Sequence, residues 1–169
     1  MRGFYVGRFQ PYHLGHHAVL EKIAEEVDEI VLGIGSAQVS HTRENPFTAG
    51  ERLTMIWGAL KNFDVTCYVI PLPDIERNAV WVSHVQSMTP AFEVVYSNNP
   101  LVIELFTESK IEVKRPPMYR REIYSGTKIR EMMMAGGDWK SLVPHAVAEA
   151  IMEIRGVDRL LNISKDDNI

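Results

Sequence analysis

Several things are scarce in these 169 residues, and each scarcity excludes something. There is one cysteine, Cys67, so no disulfide can close within the chain; its place inside the β-like run Val65 to Ile70 marks it as a small packed hydrophobe. No stretch reaches the roughly 18 uncharged apolar residues that a membrane span needs. The short apolar start, Met1 to Gly7, soon meets charge and lacks the length and cleavage pattern of a signal peptide. The net charge of −4 is mild and spread along the chain, so no polybasic surface is available to grip a nucleic acid backbone. Repeats and low-complexity linkers are also lacking. The expectation is a cytoplasmic chain with neither a membrane nor a nucleic acid partner. An apolar fraction of 46% suffices for a real core, and the length suits a single domain over residues 1–169.

What is present alternates between strand and helix patterns. Phe4 to Val6 is an apolar run, then His16 to Val27 carries Val19, Leu20, Ile23, Ala24 and Val27 at helical spacing. Ile30 to Ile34 is almost wholly apolar, as a parallel strand buried on both faces should be. Thr48 with Glu51 three residues later forms a capping box that opens a helix to Leu60. Val65 to Ile70 predicts a third strand ended by Pro71, Ala79 to Met88 a short helix, and Val94 to Tyr96 a fourth strand. Pro100 to Phe106 predicts a helix, Ile111 to Val113 a fifth strand, and Ser125 to Met134 a helix stopped by Gly136 and Gly137. Pro144 to Ile154 predicts a last amphipathic helix, followed by a polar tail with a few apolar anchors. This order predicts an α/β fold, a doubly wound parallel sheet with C-terminal helices, whose ligands bind at the carboxyl ends of the strands.

The loop after the first strand reads Gly7, Arg8, Phe9, Gln10, Pro11, Tyr12, His13, Leu14, Gly15, His16. It lacks the three glycines of a dinucleotide fingerprint, and no GK[ST] of a Walker loop occurs anywhere in the chain. It still suits phosphate. Two imidazoles three residues apart, with a glycine between them for close backbone approach, open a helix whose free N–H groups already favour an anion. On spacing alone, the same pair could be metal ligands or solvated surface histidines; no third ligand stands nearby at a recognised spacing. A second string, Ser125, Gly126, Thr127, Lys128, Ile129, Arg130, offers a helix cap, a first-turn hydroxyl and a planar charged fork. Alone, it could equally be a well-capped helix with a surface arginine.

The string GRFQPYHLGH resembles the HxGH signature of the nucleotidyltransferase superfamily, and SGTKIR resembles its later SxTxIR motif. With GIGSAQ, NPFTAGER, DIE before Asn78 and Trp81, VYS before NP, and YSGT, residues 2 to 160 are similar to archaeal nicotinamide mononucleotide (NMN) adenylyltransferases. The resemblance implies transfer of AMP from ATP to NMN, giving NAD and pyrophosphate by in-line attack without a covalent intermediate. It assigns His13, His16, Arg8 and Arg130 to catalysis and Gly7, Phe9, Gly15, Ser125 and Thr127 to the ATP phosphates. Asn78 would read the NMN carboxamide and Trp81 would stack on the nicotinamide ring, although Trp81 alone could be a core aromatic. Mg²⁺ would arrive on ATP, with no protein metal site, and a homo-oligomer is implied, a hexamer being one form. Arg43 is a further phosphate candidate, and Asn98 stands where the resemblance leads one to expect glycine. Phosphopantetheine, flavin mononucleotide and cytidylyl acceptors are the alternatives for the reaction, and a noncatalytic nucleotide sensor is the alternative to an enzyme.

Overall fold

The computed structural model describes residues 1–165. The expected domain and its polar tail extend beyond that point, and residues 166–169 of both lie outside the described residues. The strands are β1 (Arg2–Gly7), β2 (Glu29–Ile34), β3 (Thr66–Pro71), β4 (Val94–Tyr96) and β5 (Glu112–Lys114). The helices are α1 (Leu14–Ala24), α2 (Ala49–Ala59), α3 (Trp81–Met88), α4 (Pro100–Glu108), α5 (Gly126–Met134), α6 (His145–Glu153) and α7 (Gly156–Ile163).

The strands form one parallel sheet in the order β3-β2-β1-β4-β5, with Phe4 opposite both Val31 and Val95. Because side chains alternate along a strand, this register splits the core by face. Ile30, Leu32, Ile34, Val94 and Tyr96 pack with Leu20, Ile23, Met55, Ile129 and Ile151, the layer under α1, α2, α5 and α6. Phe4, Val31 and Val95 pack on the other face with Val82, Val85 and Phe106 from α3 and α4. Helices therefore cover both faces, and the chain reverses its direction of winding between β1 and β4. That reversal opens a crevice at the carboxyl edge of the sheet.

Local chemistry explains the element boundaries. α1 starts at Leu14, earlier than its apolar spacing predicts, because His13 caps it. Pro71 belongs to β3, where it was expected to end it; β3 is an edge strand, so the missing proline N–H faces no neighbour. The helix expected over Ala79 to Met88 resolves into a 3-10 turn, Asn78–Val80, and α3 proper.

The polar tail expected after Gly156 is corrected. Gly156 to Ile163 is α7, set off from α6 by Arg155 in the left-handed region at φ 53°. Its Leu160 is fully buried, and Arg159 forks onto both Glu51 oxygens at 2.7 and 2.9 Å. Eight residues are too few for helical periodicity to stand out in a sequence; the helix is evident in the fold, where it packs against α5 and α6. None of the described helices is long and apolar enough to cross a membrane.

Candidate functional site

The crevice between the β1 and β4 loops is a cleft of about 500 Å³. Its walls come from the loop after β1 and the start of α1, from Ser97 to Pro100 after β4, and from the segment Pro116 to Arg130. Every sequence-predicted catalytic and ATP-binding residue lines it: Gly7, Arg8, Phe9, His13, Gly15, His16, Ser125, Thr127 and Arg130.

The two histidines are held by an unusual helix cap. The His16 backbone N–H donates to His13 Nδ1 at 3.3 Å, and the His13 backbone N–H donates to His16 Nδ1 at 3.2 Å. Two imidazoles thus do the work that Ser and Glu do in a common capping box. Their rings stack with centroids 3.6 Å apart. Gly15 makes this possible, since a Cβ there would stand 3.0 Å from the His13 ring and 2.9 Å from Tyr124 Cβ.

Charge state follows from this geometry. An Nδ1 that accepts a hydrogen bond carries no proton, so each neutral ring keeps its proton on Nε2. Burial pushes His13 down to about 4, and burial plus the neighbouring His13 puts His16 well below its usual 6.5. Both rings are neutral N–H donors at pH 7.

A second group faces them from α5. Ser125 Oγ accepts from the Lys128 N–H at 3.2 Å, capping the helix and leaving the hydroxyl hydrogen to donate elsewhere. Arg130, 8% exposed, donates from Nη1 to the Gln10 carbonyl at 2.7 Å and from Nη2 to Thr127 Oγ1 at 3.4 Å. Gly126 must be small, because a Cβ there would lie 2.8 Å from Arg130 Nη1. Burial, then the charge of Arg8, pull the Arg130 guanidinium below its ordinary range. Neither Arg8 nor Arg130 forms an ion pair among the described residues. Neutral donors, a helix N-terminus and unpaired guanidiniums suit a polyanion such as a triphosphate.

Asn78 and Trp81 are not in this cleft. Asn78 is exposed on its 3-10 turn, and Trp81 is partly buried with its ring edge-on to Phe106 at 5.6 Å. Both follow β3, at the same carboxyl edge but two strands away from β1. Gln38 joins the loop after β2 to the loop after β3: it accepts from the Asp74 N–H at 2.9 Å and donates to Asp74 Oδ2 at 3.3 Å. Arg43 is exposed and lines a separate groove with Glu131 and Arg155. Asn98 ties the β4 loop to the far wall through the Pro116 carbonyl at 2.8 Å.

Buried polar residues beyond those the sequence assigned are Gln10, Arg52 and Ser97. Gln10 pairs through both ends of its amide with the Phe47 backbone, at 2.9 and 3.0 Å. Arg52 is fully buried and binds only backbone carbonyls. The signal for Arg52 was available: it falls three and four residues before Met55 and Ile56, on the apolar face of α2, where a charge is out of place.

Comparison with known proteins agrees with this geometry. Residues 4–132 match the cytidylyltransferase-like family. The chain is 70% identical over 166 residues to a nicotinamide-nucleotide adenylyltransferase of Methanothrix thermoacetophila, covering 98% of each. It is 59% identical to one from Halobacterium salinarum, covering 98% of this chain and 94% of that one. Among solved structures, a bifunctional NMN adenylyltransferase/ADP ribose pyrophosphatase from Francisella tularensis superposes with a TM-score of 0.77 at 18% identity over 95% of this chain. This chain spans about half, 52%, of that longer protein, which has also been solved with AMP and a manganese ion.

Proposed function

Because this chain belongs to the cytidylyltransferase-like family and, within it, to the nicotinamide-nucleotide adenylyltransferases, we propose that its cleft holds the ATP triphosphate for attack by NMN. An oxygen of the NMN 5′-phosphate forms a bond to the α-phosphorus, the bond from that phosphorus to the α–β bridging oxygen breaks, and pyrophosphate leaves with the electron pair. The products are NAD and pyrophosphate. A phosphate is already a nucleophile, so the protein's task is positioning and stabilising charge as it gathers on the transferring and leaving groups.

The observation that carries this reading is the pair of imidazoles whose Nδ1 atoms are committed to the helix cap, opposite the N-terminus of α5 and Arg130. Their Nε2–H groups would donate to phosphate oxygens without first losing or gaining a proton. Ser125 and Thr127 would orient the β and γ phosphates by their hydroxyl hydrogens. Arg8, whose side chain has no partner among the described residues, would follow the charge of the α-phosphate and the leaving group. NMN would enter over the β2 and β3 loops, which Gln38 and Asp74 join to each other, with Asn78 and Trp81 following β3. There the cationic nicotinamide would meet the indole face, and Asn78 its carboxamide.

The donor set of the cleft matches phosphate oxygens and not a dication. Mg²⁺, the proposed ion, would therefore be held by the oxygens of ATP itself and would offset charge on the departing pyrophosphate. A homo-oligomer is proposed too: Trp57 on α2 is 62% exposed and Leu101 on α4 50%, apolar side chains on opposite faces of the sheet that neighbouring copies could cover. A cytoplasmic setting fits Cys67, whose thiol burial pushes up to about 11 and so keeps unreactive.

Pyrophosphate release, measured with ATP, Mg²⁺ and a panel of NMN, nicotinic acid mononucleotide, phosphopantetheine and flavin mononucleotide, tests the reading. Release with a pyridine mononucleotide is expected. Preference for another acceptor would overturn the NMN assignment, and no release with any would favour a nucleotide sensor.

A further inference from the structure

We propose that Arg52 is a positioning residue for adenylyl transfer, which from inside the protein turns the Phe9 and Ser36 N–H groups toward the reacting phosphates. The inference rests on the reaction proposed above and adds a residue that does not touch substrate.

Arg52 spends every N–H it has on backbone. Nη1 donates to the Arg8 and Gly35 carbonyls, each at 2.8 Å. Nη2 donates to Ser36 at 3.1 Å and Val39 at 3.4 Å, and Nε to the Thr48 carbonyl at 3.2 Å. All five donors of the guanidinium are thus matched to carbonyls of three segments. No carboxylate hydrogen-bonds to it among the described residues, and it is fully buried. A hydrophobic residue in that place would leave the same carbonyls unsatisfied, so the arginine is fitted to the loops and not to a counter-charge.

The held carbonyls belong to particular peptide planes. Arg8 precedes Phe9, at φ 52°, and Gly35 precedes Ser36, at φ 47°. Both are side-chain-bearing residues in the left-handed region, which persists only where surroundings impose it. Both peptide bonds are trans, so each N–H points opposite to the carbonyl of its own plane. With the Arg8 and Gly35 carbonyls turned inward to Arg52, the Phe9 and Ser36 N–H groups are turned outward. Neither has a protein acceptor among the described residues. Arg8 and Phe9 line the cleft, and the Gly35 N–H donates to the Gly7 carbonyl at 2.8 Å, which keeps the two loops side by side. The two free donors therefore flank the junction between the triphosphate side and the β2 and β3 side, where the acceptor phosphate must meet the α-phosphorus. Arg52 also sets a positive charge behind that junction; burial, against which Glu51 pulls, lowers it to about 10, so it stays charged at neutral pH.

Arg52→Lys and Arg52→Gln test this, with thermal melts, kcat and KM measured beside the unaltered enzyme at a temperature where each is folded. Lysine keeps the charge but offers no planar fork. The folded Arg52→Lys enzyme is expected to lose roughly tenfold or more in kcat while KM for ATP changes by less than about threefold, since the histidines and α5 still hold the triphosphate. Arg52→Gln should lose more. A folded lysine variant with kcat within about twofold of normal would overturn the proposal and leave adenylyl transfer standing. Failure of both variants to fold would reduce Arg52 to a structural residue and overturn it too. An unaltered enzyme that releases no pyrophosphate with ATP and NMN would instead overturn the reaction itself.

Discussion

At the scale of single residues, the histidine pair shows how a fold fixes protonation. An imidazole that caps a helix through Nδ1 must be neutral, and burial reinforces this, so His13 and His16 protonate more readily in the unfolded chain than in the folded one. The His13 contribution to stability is complete above about pH 6.5 and is lost as pH falls from there toward 4, by about 1.4 kcal/mol per pH unit, and His16 acts in the same direction. Urea midpoints at pH 7, 6 and 5 should fall accordingly, and His13→Asn should show a shallower fall. Parallel curves for the two proteins would mean the ring is not held neutral. Arg130 makes a different demand. Its fork reaches Gln10 and Thr127 at once, which lysine cannot do, so Arg130→Lys should lose about 1.5 to 3 kcal/mol of transition-state stabilisation with the fold intact. Steady-state kinetics check this, and equal kcat/KM would place Arg130 outside the reaction.

At the scale of elements, the N-termini of α1, α2 and α5 are each closed by a side chain from the residue just before them, His13, Thr48 and Ser125. Caps of this kind are local, and two of the three also belong to the cleft wall, so helix formation and site formation share residues. α7 is built differently. It is tied to the start of α2 by the paired bonds of Arg159 to Glu51 and a third to the Pro46 carbonyl at 3.1 Å. Burial would raise the Glu51 carboxyl, but Arg159 and the Thr48 N–H together outweigh it and hold it below the usual range. Arg159→Met should therefore destabilise the protein by about 2 kcal/mol, the scale of a charged hydrogen bond lost in partly buried surroundings. Urea unfolding reads the loss directly. An unchanged midpoint would show that α7 is held by Leu160 and Val157 alone.

At the scale of the molecule, the sheet divides the work. The loops after β1 and β4 wall the cleft proposed for the triphosphate, and the loops after β2 and β3 lie along the same sheet edge, on the side of Trp81. Trp81→Ala should then weaken NMN by about 1 to 2 kcal/mol, the worth of a desolvated cation–π contact with its apolar area, and leave ATP affinity nearly unchanged. Some loss of thermal stability should accompany it, because the indole also packs on Phe106. Calorimetric titration with each nucleotide separates the effects. If ATP and NMN affinities fall together in step with the melting temperature, Trp81 is a core residue and the acceptor site lies elsewhere.

The sequence by itself determined the elements and much of the cleft wall. Apolar runs, helical spacing, the Thr48 cap and the two short motifs are local signals, carried by residues within a few positions of one another, and a parallel sheet brings the loops after its strands to one edge whatever their distance in sequence. Only the tertiary structure decided what depends on partners far along the chain. Where the helix Gly156 to Ile163 docks depended on Glu51, over a hundred residues earlier, which receives Arg159, and on the core that buries Leu160. The neutrality of His13 and His16 required their burial, which spacing does not reveal. Arg52 stood in plain view within NPFTAGER, yet its use depended on carbonyls from the loops after β1 and β2, and these meet only when the strands pair. Local chemistry writes itself into a sequence; the match of one buried donor to several remote acceptors is a property of the folded chain.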